Sequence, residues 1–302
     1  MTQHLLDIDD LTTDDLRAVL DRAAALKAGP ALGAAEQPLA NRTLAMLFEK
    51  PSTRTRVSYE TGMTRLGGHA IFLSPDDIQL GRGEPLKDTA RALSRYVDAV
   101  MARVNSHDDI EELAAYSDVP VVNGLSDEAH PSQTLADLLT IKETFGGFDG
   151  VQAAWVGDGN NVAQSFVLGA AMVGLDLTVA TPEGYGIDQG VLDRAAELGD
   201  APTVTTDPEA AVDGADVVYT DVWVSMGEEA EREEKLAAFD GFQLNDDLLA
   251  GTDAKVMHCL PAHRGEEITD AVLESDRSLV WDQAENRMHG QNGLLVELVA
   301  DR

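Results

Sequence analysis

Short apolar, β-branched runs alternate with helical patterns along almost the whole chain, and this alternation narrows the available folds more than any other feature. The runs are Thr43–Phe48, Ala70–Leu73, Ala99–Val104 and Val119–Val122 in the first half, then Ala153–Val156, Leu175–Ala180, Val217–Thr220, Lys255–Met257 and Leu279–Trp281 in the second. Strands interleaved with helices form parallel sheets covered on both faces, and such strands read as continuous apolar runs. The pattern predicts an α/β fold of two domains, each a parallel β-sheet flanked by helices. The seam is expected at Gly146-Gly147-Phe148-Asp149-Gly150, after a helical segment (Ser132–Phe145) and before a new strand. That gives domains of 1–147 and 148–302. A first helix is expected over Leu11–Lys27, capped by Thr12 or Thr13, with Leu16, Val19 and Leu20 on one face. The last stretch, Asn292–Ala300, is apolar and helix-like and is expected to pack back on the N-terminal domain.

Charge restricts the partners. The chain of 302 residues carries 22 Lys+Arg against 54 Asp+Glu, a formal net charge of −32. Of the 22 cations only six are lysine. No basic stripe exists for nucleic acid or an anionic membrane. A hydrophobic content of 44% argues against disorder at this charge. A surface so acidic and poor in lysine fits concentrated salt, where at 1 M the Debye length falls to about 3 Å and like charges scarcely repel. Cys259 is the sole cysteine, which excludes an intrachain disulfide and a cysteine-based zinc cluster. Asp7, Asp9 and Asp10 stand where a signal peptide needs positive charge, and no run of about 18 apolar residues is present, so a cytoplasmic protein is expected.

Parallel α/β sheets bind ligands beyond the carboxyl ends of their strands, so the residues after each strand carry the functional information. After Phe48 comes Glu49-Lys50-Pro51-Ser52-Thr53-Arg54-Thr55-Arg56, opening a helix through about Leu66. Ser52 and Thr53 are good N-caps, free N–H groups at a helix start attract phosphate, and Arg54 offers a bidentate fork to its oxygens. Arg103 follows the third strand as a second anion contact. His130-Pro131-Ser132-Gln133 follows the fourth, with Pro131 suited to the first helical position and His130 and Gln133 near the helix start.

In the second half, Gly157-Asp158-Gly159-Asn160-Asn161 follows a strand in the manner of a dinucleotide fingerprint. It fails, because Val162 holds the third glycine position and the next strand ends in Ala180-Thr181-Pro182 rather than an acid. Asp221 ends a later strand, where a carboxylate can pair with an ammonium group, and leads into Val222-Trp223-Val224-Ser225-Met226-Gly227. His258-Cys259-Leu260-Pro261-Ala262-His263 holds potential metal ligands without a companion cluster, so no metal is expected. Arg287 is expected after the final strand. An anion site in one half and carboxylate and amide groups in the other point to group transfer from a phosphorylated donor to an amine.

At this point the motifs resemble a known family. Phe-x-x-Pro-Ser-Thr-Arg-Thr-Arg (48–56) and His-Pro-Ser-Gln (130–133) are similar to the carbamoyl-phosphate motifs of the aspartate and ornithine carbamoyltransferases. Asp-Val-Trp-Val-Ser-Met-Gly (221–227) and His-Cys-Leu-Pro (258–261) resemble the ornithine branch, and the likeness runs from about residue 42 to 292. The resemblance implies carbamoyl transfer from carbamoyl phosphate to the δ-amino group of L-ornithine, giving L-citrulline and phosphate, with no cofactor. It implies that Ser52, Thr53, Arg54 and Thr55 hold the phosphate and that Arg103, His130 and Gln133 contact the carbamoyl group. Arg287 and Cys259-Leu260 complete that pocket, and Asn161, Asp221, Ser225 and Met226 take ornithine. Arg103, His130, Asp221 and Cys259 are the expected catalytic residues. Gln79 matches a residue offered across a subunit boundary, which implies a homotrimer or a multiple of one. The competing readings are a carbamoyltransferase for putrescine or aspartate, and an inactive ligand-binding relative.

Overall fold

Two all-parallel sheets form the frame of the computed structural model, which describes residues 4–29, 37–74, 78, 83–224, 230 and 232–300. The chain divides into two compact units, 1–139 with 285–302, and 140–284. The first unit holds β1 (Thr43–Phe48), β2 (His69–Leu73), β3 (Ala99–Arg103) and β4 (Val121–Leu125) in the order β2-β1-β3-β4. Its helices are α1 (Thr13–Ala28), α2 (Thr53–Arg65), α3 (Leu86–Leu93), α4 (His107–Tyr116) and the start of α5 (Pro131–Phe145). The second unit holds β5 (Gln152–Val156), β6 (Asp176–Ala180), β7 (Thr203–Thr205), β8 (Val217–Thr220) and β9 (Lys255–His258) in the order β7-β6-β5-β8-β9. Its helices are α6 (Asn161–Val173), α7 (Gln189–Leu198), α8 (Pro208–Val212), α9 (Arg232–Ala238) and α10 (Asp270–Leu273), and α11 (Val280–Val299) closes the chain.

Each sheet reverses its strand order once. In the first unit the chain goes from β1 outward to β2, then returns to place β3 on the other side of β1. In the second it runs β5, β6, β7 and then crosses to β8. Loops diverge at such a point and leave a crevice beyond the strand ends. The crevices therefore lie beyond β1/β3 and beyond β5/β8.

Strand faces alternate as a pleat requires. In the second unit Ala154, Val156, Val218 and Val256 enter one buried cluster with Phe239 and Leu244. The intervening Trp155 and Tyr219 face the other way, 4.7 Å apart edge to face, with Phe166 of α6 at 5.2 Å from Tyr219. In the first unit Ala45, Leu47, Val100 and Ala102 pack with Ile110 and Leu113 of α4. Burying one such side chain contributes about 1.5–3 kcal/mol.

The sequence places most elements within a residue or two, and the departures have physical causes. Leu279–Trp281 does not form a strand. Leu279 N–H gives one hydrogen bond to the Val256 carbonyl (2.8 Å) and Ser278 bridges Val256, after which the chain turns directly into α11. The short edge strand β7 was not anticipated, because only one of its three residues is even half-buried. The C-terminal helix packs back on the first unit, as Asn292–Ala300 leads one to expect, and this sets the division of the chain. It falls inside α5 and inside α11, and residues 285–302 go with the first unit. The reason is close packing of α11 on α1 and α2. A Cβ at Gly293 would lie 2.6 Å from the Val19 carbonyl oxygen, so only glycine lets these backbones approach. Arg22 of α1 pairs with Glu297 at 3.0 Å and Lys27 donates to Asn286 at 2.8 Å.

Candidate functional site

In the first unit, the loop after β1 turns into α2 through Ser52, an extended residue whose hydroxyl accepts the Thr55 N–H (3.3 Å). The same hydroxyl donates to Thr55 Oγ1 at 3.0 Å, and Arg287 Nη2 donates to that oxygen at 2.8 Å. With both lone pairs of Thr55 engaged, its own O–H hydrogen remains to be donated to a ligand. Thr53 is exposed and Arg54 half-buried. Arg54 Nε is buried without a hydrogen-bond partner, a donor that an anion would satisfy. Arg56 is committed elsewhere, to Glu60 at 2.9 Å and to the face of Phe72 at 3.8 Å.

The neighbouring strands supply buried polar groups. Arg103 stands opposite Phe48 in the β1–β3 register, and its carbonyl accepts the Glu49 N–H. Arg103 is 5% exposed, and beyond β4 His130 and Gln133 are 3% and 0% exposed. Gln133 Nε2 donates to Asp137 one turn later at 2.8 Å, and its carbonyl oxygen has no partner, so it can accept from a ligand N–H. Burial, then the positive charges of Arg287 and Arg103, hold the His130 imidazole well below its ordinary value, so it is neutral and donates a single N–H. Arg287 lies on α11, not after a strand. Ser132 gives its hydrogen to the Asn123 carbonyl (2.8 Å), so Tyr59 is the donor in the 3.0 Å contact between the two hydroxyls. Burial pushes the Tyr59 phenol up to about 12, with Ser132 and Arg287 opposing.

In the second unit, Asp221 is 6% exposed at the end of β8. Asn160 Nδ2 donates to its Oδ2 at 3.0 Å, and the Cys259 thiol donates to its Oδ1 at 2.9 Å. Asn160 also caps α6, accepting the N–H groups of Val162 and Ala163. The sequence singled out Asn161 and missed Asn160; an Asn at an N-cap before an apolar run was the available signal. Gly159 also acquires a reason. A Cβ there would come within 2.5 Å of the Gly186 backbone, so the glycine serves loop packing rather than a pyrophosphate. Asp158 accepts from Lys235 of α9 at 2.8 Å in a pair whose side chains are 5% and 10% exposed. Leu260 has φ 58, in the left-handed region. Gln79, Ser225 and Met226 lie outside the described residues.

Potential metal ligands converge more than the sequence indicated, since Asp221 joins His258 and Cys259 with one ligand atom each within 4.8 Å. Their geometry is that of a hydrogen-bonded group, with the thiol on Asp221 and the Leu260 N–H on His258 Nδ1 at 2.9 Å. Among the described residues no helix is long and apolar enough to cross a membrane.

Fold and site together define a parallel α/β protein with an arginine, hydroxyl and imidazole cradle beyond one sheet and a buried carboxylate held by an amide and a thiol beyond the other. Residues 3–143 match the carbamoyl-phosphate-binding domain of aspartate/ornithine carbamoyltransferases, and residues 149–298 match their aspartate/ornithine-binding domain. The chain belongs to the aspartate/ornithine carbamoyltransferase family. It is 69% identical to an ornithine carbamoyltransferase of Haloquadratum walsbyi, over 99% of each chain. It is 53% identical to an anabolic ornithine carbamoyltransferase of Pyrococcus furiosus, over 97% of this chain and 95% of that one. Among solved structures it resembles the ornithine carbamoyltransferase of Pyrococcus furiosus (TM-score 0.93, 52% identity, 99% and 97% covered). It also resembles the anabolic enzyme of Campylobacter jejuni (TM-score 0.92, 40% identity, 100% of both).

Proposed function

We propose that this chain transfers the carbamoyl group of carbamoyl phosphate to the δ-amino group of L-ornithine, giving L-citrulline and phosphate, and that the reverse reaction uses the same residues. The observation that carries this reading is the Cys259 thiol donating to Asp221. It joins the two motifs that resemble the ornithine branch around a single buried carboxylate.

Ser52, Thr53, Arg54 and Thr55 hold the phosphate, with Arg54 forming a charge-assisted contact. The Gln133 carbonyl oxygen accepts from the carbamoyl NH2, and Arg287, Cys259 and Leu260 complete the binding of that substrate. Asn161, Asp221, Ser225 and Met226 take ornithine. The δ-ammonium first gives up one proton to solvent, the nitrogen lone pair then attacks the carbamoyl carbon, the bond from that carbon to the phosphate oxygen breaks, and the second proton released from nitrogen passes to phosphate. Negative charge develops on the carbamoyl oxygen. Arg103, Thr55 and the neutral His130 donate to it, and one such preorganised donor contributes about 3–4 kcal/mol in comparable sites. Orienting both substrates contributes up to roughly 7–11 kcal/mol more. None of these steps draws on a cofactor. Gln79 serves a neighbouring subunit in a homotrimer or a multiple of one, in the cytoplasm of a cell rich in salt.

The deciding experiment follows formation of the carbamoylated amine from carbamoyl phosphate with ornithine, putrescine or aspartate, each in low and high potassium chloride. Ornithine should be carbamoylated and the other two not. Equal or better turnover of putrescine or aspartate, or no turnover of any amine, would overturn the reading.

A further inference from the structure

Glu267 takes no part in the reaction described above, yet it is wholly buried beside the site. Its backbone is clamped, with its carbonyl accepting the Leu244 N–H at 2.8 Å. Its Oε1 accepts two hydrogen bonds, from the His263 N–H at 2.6 Å and from His258 Nε2 at 2.9 Å. Its Oε2 is buried without a partner. A buried carboxylate with one oxygen unsatisfied costs free energy, so stability does not account for it.

His258 shows what it accomplishes. The residue is 1% exposed and its backbone is fixed as well, since the His258 main-chain N–H donates to Gln283 Oε1 at 2.8 Å. Its Nδ1 receives the Leu260 N–H at 2.9 Å. A ring nitrogen that accepts carries no hydrogen, so Nε2 carries it and donates to Glu267. Leu260 is a non-glycine residue at φ 58, a conformation that needs support from its surroundings. The ring supplies that support, and the turn so held presents the preceding thiol to Asp221. In the other tautomer Nδ1–H would oppose the Leu260 N–H, donor against donor. Its nearest carboxylate would be Asp221 Oδ1, 4.0 Å away, the oxygen that Cys259 occupies.

We infer that Glu267 is a positioning residue that locks the His258 tautomer, and so keeps the Cys259-Leu260 turn formed and Asp221 available to the substrate amine. The inference rests on the ornithine reading only for its kinetic consequence. Nitrogen-15 NMR of the histidine-labelled full chain tests the lock directly, with the His258 ring signals assigned by their loss in His258→Asn. The wild type should carry its hydrogen on Nε2, and Glu267→Ala should shift it toward Nδ1. In steady-state assays Glu267→Ala should lose roughly 20-fold in kcat/KM for ornithine, chiefly through KM, as expected for one lost charge-assisted hydrogen bond. Glu267→Gln retains an oxygen and should recover to within about fivefold of wild type.

If Glu267→Ala does not fold, the His258 variants decide. Asn places an oxygen where Nδ1 stands and can still accept the Leu260 N–H, whereas Gln places only a donor toward Glu267. His258→Gln should therefore be at least about tenfold worse than His258→Asn. A wild-type ring protonated on Nδ1, a folded Glu267→Ala with wild-type tautomer and kinetics, or His258→Gln equal to His258→Asn would each overturn the inference. A wild type that makes no citrulline refutes the ornithine reading and leaves the tautomer measurement standing.

Discussion

Replacing Asp221 by asparagine changes one atom and should abolish most use of the amine substrate. The carboxylate accepts at both oxygens, from Asn160 Nδ2 at 3.0 Å and from Cys259 Sγ at 2.9 Å. An amide has one oxygen and one NH2 group, so in either orientation it turns a donor toward one of these donors. Leaving a buried donor unsatisfied costs about 1–3 kcal/mol, and losing a charge-assisted contact with the ligand ammonium about 1.5–3 kcal/mol. Their sum, about 2.5–6 kcal/mol, spans the cost of about 3–5 kcal/mol for breaking a buried ion pair. It corresponds to a loss of roughly 70- to 25,000-fold in kcat/KM for ornithine. Initial rates of citrulline formation at varied ornithine would measure it, with thermal stabilisation by carbamoyl phosphate expected to persist. Asp221→Asn retaining kcat/KM for ornithine within about threefold, less than the weakest of these terms, would refute the reasoning.

Other perturbations separate the remaining parts. Arg54→Ala should lose thermal stabilisation by inorganic phosphate and nearly all turnover, because its buried Nε would no longer meet the anion. Gly159→Ala should lower Tm by about 2–12 °C, since the added carbon meets the Gly186 backbone and overpacking costs about 1–3 kcal/mol; differential scanning calorimetry would show it. His130 and His289 are both held below the ordinary histidine value, each mainly by burial. Below about pH 6.5 the unfolded chain therefore binds protons that the folded chain refuses. Stability from these residues is complete above that pH and falls on acidification by up to about 1.4 kcal/mol per pH unit for each, until the folded form also titrates. Tm measured from pH 7.5 to 5.5 should decline less steeply in His289→Asn than in wild type. Tm should also rise between 0.1 and 2 M potassium chloride as the charge of −32 is screened, and a flat response would contradict adaptation to salt.

Much of the site was legible because a parallel sheet concentrates its chemistry at strand ends. Ser52 to Thr55, Arg103, His130, Gln133, Asp221 and Cys259 each follow a strand or open the next helix, so finding the strands located them. The less legible groups reach their positions through tertiary packing. Arg287 meets Thr55 from a helix whose first turn resembled a strand, because a buried helix start and a buried strand are equally apolar over three residues. Asp137 is hidden in an amphipathic helical pattern, and only its hydrogen bond from Gln133 reveals its use. Glu267 and Asn160 escape a linear reading, since nothing in the chain announces that a carboxylate will be wholly buried or that a capping amide will have a hydrogen to spare.

The Lys235–Asp158 pair has a consequence for how a chain this acidic responds to salt. The chain has only six lysines, yet one of them lies inside, where salt screens a buried pair far less than surface charge. Salt therefore acts on this protein mainly through its outer shell. Exchanging exposed acids distant from the strand ends for lysine as a set should therefore weaken the response of Tm to salt and leave the internal ion pair in place.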